Sequence, residues 1–370
     1  MLKLFEVEGF RNFREPIILD FSEVRDYKFN SDCLSNGLIS KAVIYGKNAI
    51  GKSNFGVALF DITSLVWRGG LRRYGDDDIS DVSYLNTGNQ KGYAAFRYVF
   101  QFDGRQVEYS YRKNAEQALI YEKVMMDDEL LFEVNRTGEG ITEIERLRKL
   151  SPTLNMEFAG VDSVFHYVVT NTPLRPDHPL QRVLDFVGHM QINRRHERSI
   201  NTILRGWMPR ILTDEDVLRE FEVFLHDAGV QDGLITISDA AGRESLYFDT
   251  KPPLSFGQVA SSGTKMLLDL FIHCKMAETG RVSLLFLDEF DAFYHFELAE
   301  SIVRALKRLK DTQVIFTSHN TNLLSNRIMR PDCFFIMTEN KLTSFANATE
   351  RELREGHNLS KLFMSGEFDG

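Results

Sequence analysis

The chain has 370 residues, of which 43% are hydrophobic and 26% charged, with a formal net charge of −9. These are globular values, and the length suffices for one large or two ordinary domains around a sizeable core. The longest apolar runs are too short to span a bilayer, and the acidic balance argues against non-specific duplex binding by the whole surface while leaving room for a local basic groove.

Residues 1–21 alternate well enough for one or two strands, with a turn at Gly9-Phe10-Arg11-Asn12-Phe13. Acidic Glu6 and Glu8 stand where a secretory leader would need a basic and then apolar stretch, so no leader is expected. Residues 31–40 read as a polar loop. Cys33, Cys274 and Cys333 are scattered, with neither a disulfide framework nor metal-ligand spacing, and a reducing cytoplasm is the simplest setting for them.

Residues 41–45 form a short apolar run that reads as a buried strand. Residues 54–65 carry Phe55, Leu59, Ile62 and Leu65 at helical spacing. Between them, from Gly46 to Ser53, stands GKNAIGKS, a full match to the phosphate-binding pattern G-x-x-x-x-G-K-S/T. A strand, loop and helix in this order aim several backbone N–H groups at one point, at the positive end of a helix dipole, where a polyphosphate fits. Gly46 and Gly51 allow close backbone approach, Lys52 can reach the β- and γ-phosphates, and the Ser53 hydroxyl can ligate Mg²⁺. The motif in this setting predicts binding of a nucleoside triphosphate.

After the P-loop helix, residues 68–90 are polar and charged and read as an exposed excursion. Residues 93–111 read as a hairpin about Asp103-Gly104, a dipeptide suited to a type I′ turn, with a further strand pattern at 119–124. Residues 174–228 have helical period and are rich in Arg, Leu and Val; residues 234–248 return to alternation around Ala241-Gly242. Arg194, Arg195 and Arg198 read as a solvated helix face or as a nucleic-acid or partner contact.

In the last third, Ala260-Ser261-Ser262-Gly263-Thr264-Lys265 precedes a helical run at 266–276. Small hydroxyl residues and Gly at a helix start make a second anion-binding end. The apolar run 282–287 ends in Asp288-Glu289. Carboxylates at the C-terminal edge of a parallel strand face the crevice where ligands bind, so Asp288 is placed to hold Mg²⁺ opposite Ser53 and Glu289 to polarise an attacking water. Phe293, Tyr294, His295 and Phe296 follow as packing residues. A second apolar strand, 312–317, leads into Ser318-His319, and residues 350–363 read as a charged terminal helix.

The order and spacing of these four elements resembles the ABC-type ATPases, and within them the AAA_15/AAA_21 group, relatives of the OLD-family ATPase domain and of SMC-type heads. The likeness extends over nearly the whole chain. Gly9-Phe10-Arg11-Asn12-Phe13 is similar to an early N-F-R-x-F segment, and residues 358–368 to a terminal helix with a Gly-x-Phe ending. The resemblance implies an α/β P-loop NTPase fold, a single ABC-type head over 1–370. Within it a mixed or antiparallel β lobe is expected at 68–160, a mainly helical insertion at 172–250, and the signature, acidic-strand and switch-histidine half at 255–345.

The resemblance further implies ATP and Mg²⁺ as cofactors. Gly46, Asn48, Gly51, Lys52, Ser53 and Asn54, with Arg11 and Asn12, would contact the nucleotide. Ser53 and Asp288 would hold the metal, and Glu289, His319 and Lys52 would serve catalysis. Ser261 and Gly263 would meet the nucleotide of an opposite protomer, with Asp291 in the D-loop. The signature reads Ala-Ser-Ser-Gly-Thr, not Leu-Ser-Gly-Gly-Gln, and neither Gln101, in the hairpin, nor Asn171, read as following a strand, is a convincing Q-loop residue. A homo-oligomer formed head-to-tail around ATP is implied, acting as sensor or scaffold in bacterial anti-phage defence with a separately encoded effector such as a nuclease. The alternative is a DNA-repair head, of RecF or SMC type, that engages DNA or RNA directly.

Overall fold

The computed structural model describes residues 1–66, 83–138, 140–158, 160–193, 208, 210–292 and 296–368. Most of the 68–90 excursion, Arg194, Arg195 and Arg198, and the first three residues of the Phe293–Phe296 cluster lie outside the described residues.

Two β-sheets enclose the P-loop helix. The central sheet has six strands in the order Met190–Asn193, Leu284–Leu287, Gln313–Thr317, Lys41–Gly46, Phe334–Met337 and Leu342–Ser344. The first five run parallel and the last antiparallel. Strands inside a parallel sheet are covered on both faces, which is why Leu284–Leu287 is apolar throughout and every residue of Gln313–Thr317 is buried. Asn193 stands level with Leu287, Leu287 with Phe316, and Thr317 with Ile44, so three strands end at one edge.

The second sheet is antiparallel, with seven strands in the order Gly140–Glu143, Glu129–Asn135, Leu119–Met126, Arg105–Lys113, Ala94–Phe102, Leu2–Glu8 and Ile17–Asp20. The expected hairpin turns at Asp103-Gly104, both residues having positive φ (50° and 80°), as a type I′ turn requires. Two of this lobe's strands come from before the P-loop, outside the 68–160 range. A third, small sheet of Leu234–Ser238, Glu244–Phe248 and Leu254–Ser255 lies in sequence between the helices Glu215–Asp227 and Ser262–Glu278.

The P-loop helix Lys52–Phe60 packs on both main sheets. Phe55 meets the Phe5 ring edge-on at 5.3 Å on the lobe side. On the other side Gly56 lies so close to Phe286 that a β-carbon would stand 2.5 Å from its ring. One apolar core runs through both sheets.

Several expectations change. The helix read at 54–65 breaks at Asp61, and a separate short helix, Thr63–Val66, follows. Asp61 turns into the lobe, where its carboxylate accepts from Lys113 Nζ (2.6 Å), Tyr111 (2.8 Å) and Tyr84 (3.0 Å). The stretch read as mainly helical, 172–250, contains the central-sheet strand Met190–Asn193, while the alternation read at 234–248 forms an antiparallel strand pair. Asn171 ends the helix Val164–Asn171 and follows no strand. The polar loop at 31–40 holds the two short paired strands Leu34–Ser35 and Leu38–Ile39. The terminal helix shrinks to Leu359–Met364, capped by Asn358, whose side chain accepts from Lys361 N at 2.9 Å. No helix among the described residues is long and apolar enough to cross a membrane.

Candidate functional site

The P-loop leaves its strand at Gly46 and enters its helix at Lys52. Gly51 has φ of 112°, and a β-carbon there would stand 3.1 Å from the Phe13 ring and 3.2 Å from Asn12. Glycine is therefore required on both conformational and steric grounds. At Gly46 a β-carbon would stand 2.9 Å from the Met337 carbonyl. Lys52 folds back over the loop, its Nζ donating to the carbonyls of Gly46 (2.9 Å) and Lys47 (3.2 Å). Burial lowers the pKa of this ammonium, while the carboxylates of Glu289 and Asp288 act in the opposite sense.

The acidic strand delivers Asp288 and Glu289 to the same edge. Asp288 is 7% exposed, and its Oδ1 accepts from the Thr317 hydroxyl at 2.7 Å. The same hydroxyl oxygen accepts from the backbone N–H of Glu289, also at 2.7 Å. Glu289 has φ of 46°, the left-handed region that non-glycine residues rarely occupy. Its Oε1 lies 3.9 Å from Nε2 of His319. Burial and then the Lys52 charge lower the pKa of His319, favouring the neutral ring. Beyond Glu289, the Asp291 carboxylate accepts from the Ser318 hydroxyl at 2.5 Å, and burial raises its pKa.

A third part comes from the N-terminal turn. Arg11 Nη1 donates to Asn54 Oδ1 at 2.8 Å, and Asn54 Nδ2 donates to Asn12 Oδ1. Arg11 and Ala49 share the left-handed conformation with Glu289, with φ of 45° and 61°. Such outliers gather at functional sites because the surrounding structure must hold them there.

These parts converge on one cleft of about 860 Å³, lined by Asn12, Asn48, Ala49, Gly51, Lys52, Ser53, Asn54, Glu289, Asp291, Ala292, His319 and Asn320. Gly46 supports it through its carbonyl and Arg11 through Asn54, whereas Asp288 does not line it and borders a separate small cavity with Asn193 and Leu287. Ser261 and Gly263 are not among its lining residues. Ser261 caps the helix Ser262–Glu278, its Oγ accepting from Thr264 N at 3.1 Å, and it is exposed, beside Val259 at 50% exposure.

Sequence reasoning missed Thr317, Asn320 and Asn193. Gln101 pairs with Gln106 in the hairpin, and neither it nor Asn171 lines the cleft. Asn193 instead ends the strand beside the acidic one, and its carbonyl accepts from Asp288 N at 2.9 Å. The only signal for it was a four-residue apolar alternation inside a stretch of helical period.

The sequence model of the AAA_21 family, described as "AAA domain, putative AbiEii toxin, Type IV TA system", matches residues 41–325. Among solved structures, the chain is similar to an SMC head bound to the C-terminal winged-helix domain of ScpA, with 16% identity over 92% of this chain and 96% of that one and a TM-score of 0.47. It is similar to the SMC head domain from Thermotoga maritima, with 17% identity over 93% and 98% of the two chains and a TM-score of 0.42. A third similar structure is the SMC head domain with an extended coiled coil bound to the C-terminal domain of ScpA, from Pyrococcus furiosus, with 13% identity, 92% and 95% coverage and a TM-score of 0.45. No curated protein sequence matches the chain.

Proposed function

The chain belongs to the AAA_21 family of P-loop ATPase domains, and on that premise we propose that it binds ATP in the 860 Å³ cleft and hydrolyses it between two head-to-tail copies. The observation that carries this reading is the meeting of Lys52, Ser53, Glu289 and His319 in a single cleft. Lys52 exchanges its carbonyl partners for the β- and γ-phosphates, and the N–H groups of the loop and first helical turn hold the remaining phosphate oxygens. Glu289 takes a proton from the attacking water, and the neutral imidazole of His319 donates a hydrogen bond to the γ-phosphate.

Asp288 and Ser53 fit Mg²⁺. Both present oxygen donors, and the Thr317 hydroxyl orients one Asp288 oxygen. A bound Mg²⁺ would neutralise charge on the phosphates. Ser261 and Gly263 supply the other wall of a site on a second copy. That neither lines its own cleft supports this, as do the exposed apolar side chains of Val259 (50%) and Leu254 (44%) nearby in sequence. ATP then acts as both substrate and interface. The family's description, "putative AbiEii toxin, Type IV TA system", supports a toxin-antitoxin setting, and within it the proposed role is that of a sensor or scaffold in bacterial defence with a separately encoded effector.

Glu289→Gln tests the chemistry. It should retain ATP binding, lose turnover by roughly 100-fold or more, and double in mass by light scattering when ATP and Mg²⁺ are added. Full activity in this variant would remove the proposed base, and a monomeric mass under every condition would remove the sandwich. Strong stimulation of the wild-type protein alone by DNA would favour the direct DNA-binding alternative over an effector-coupled one.

A further inference from the structure

The helix that begins at the signature residues is joined to the strand beside the acidic one by a partly buried polar contact that the proposed chemistry does not use. Asp269 lies about two turns into Ser262–Glu278 and is 2% exposed. Its Oδ2 accepts from the side-chain amide of Asn193. The carbonyl of Asn193 accepts from Asp288 N at 2.9 Å. The contact therefore runs from the signature helix, across one side chain, to the backbone that carries Asp288 and Glu289.

The remaining polar atoms are poorly matched. Asp269 Oδ1 has no hydrogen-bond partner among the described residues, and the nearest cation-forming group, Nδ1 of His273, is 3.8 Å away. That nitrogen donates to the Asp269 carbonyl at 2.8 Å, and His273 Nε2 is itself buried without a partner. A narrow cavity lined by Asn193, Met266, Leu270, Leu287, Asp288 and Phe290 separates helix and strand here. Burial raises the pKa of the Asp269 carboxyl, against the opposing effects of His273 and Asn193.

A contact selected only for stability would be apolar, because a buried carboxylate with incomplete partners costs more than a packed aliphatic side chain. Its position offers a better reason. We propose that Asp269 is a positioning residue: it holds Asn193, and through Asn193 the Asp288–Glu289 backbone, so that engagement of a second copy at Ser261 and Gly263 sets the hydrolytic carboxylates. This rests on the ATPase reading above.

The test compares Asp269→Leu, Asp269→Asn, Asn193→Ala and the Asp269→Leu/Asn193→Ala double variant in the full-length protein. Asp269→Leu should melt no lower than wild type, bind ATP with unchanged Kd, and still assemble with ATP. Its kcat should fall roughly tenfold with KM unchanged. Asp269→Asn keeps an acceptor for Asn193 and should recover most of that loss. Asn193→Ala should reproduce the fall in kcat, and the double variant should add nothing further. Wild-type kcat in Asp269→Leu would overturn the proposal. So would a loss that tracks melting temperature, or fully additive effects of the two single changes. If Asp269→Leu does not fold, wild-type kcat in Asn193→Ala has the same force. Absence of turnover in the wild-type protein would instead sink the ATPase reading itself.

Discussion

The hydroxyl of Thr317 serves two neighbours at once, donating to Asp288 and accepting from the backbone of Glu289, each at 2.7 Å. The second bond matters because Glu289 sits at φ of 46°, a conformation that costs about 1 kcal/mol or more for a residue with a β-carbon. Anchoring its N–H helps to hold that geometry and thereby aims the side chain toward His319. Thr317→Val keeps the shape and removes the hydroxyl. It should cost about 1–3 kcal/mol in urea unfolding, from two buried groups losing a partner, and lower ATP turnover roughly tenfold. Thr317→Ser should stay near wild type in both assays. Wild-type turnover in the valine variant would show that the carboxylates do not depend on this hydroxyl. Asp288, Glu289 and His319 could be read from sequence because polar residues ending an apolar run stand out. Thr317 could not, since a threonine in a strand is ordinary and its task is set by the register of its strand with Leu284–Leu287, which brings it to Asp288 and Glu289. Asp269 and Asn193 were hidden for the same reason: their meaning arises only when helix and strand meet.

Elements whose cause is local were the legible ones. The P-loop strand and helix, the Asp103-Gly104 hairpin and the buried runs before Asp288 and Ser318 each carry their own periodicity or turn chemistry. The errors fall where a distant partner decides. The P-loop helix stops at Asp61 because that carboxylate is drawn to Lys113, Tyr111 and Tyr84. Residues 350–358 have a helix-like charge pattern, yet the Glu352–Arg354 ion pair at 2.8 Å spans two residues and does not follow a helical repeat. Close packing of the P-loop helix leads to a further prediction. Gly56→Ala would ordinarily favour a helix by about 1 kcal/mol, but here its methyl would meet the fully buried Phe286 ring at 2.5 Å. Overpacking of this kind costs about 1–3 kcal/mol, so the variant should be less stable on balance. Phe286 lies two residues before Asp288, so the helix must also shift relative to the acidic edge. Weaker ATP binding, read as a smaller ATP-induced rise in Tm, is expected; an unchanged rise would mean that the displacement is absorbed elsewhere.

At the scale of the whole molecule, the two main sheets are tied at Gln313. This fully buried side chain accepts from Leu2 N and donates to the Leu2 carbonyl, each at 2.8 Å, so that one amide from the central sheet copies a strand pairing with the lobe. Leu2 opens the strand that carries Phe5, and Phe5 packs on Phe55 of the P-loop helix. The tie therefore bears on how the lobe and the N-terminal turn, with Arg11 and Asn12, are seated over the nucleotide cleft. Gln313→Leu retains bulk but leaves the Leu2 N–H and C=O without this partner in the core, a loss of about 2–4 kcal/mol. The effect should be uneven. Amide hydrogen exchange should quicken in Leu2–Glu8, which carries the tie, and in Lys52–Phe60, which packs on it through Phe5 and Phe55, while the helix Glu215–Asp227 keeps its protection. Exchange that rises equally everywhere would indicate a molecule destabilised as one unit. Exchange unchanged in both segments would mean that the apolar core alone aligns the sheets, with the glutamine incidental to the seating of the cleft.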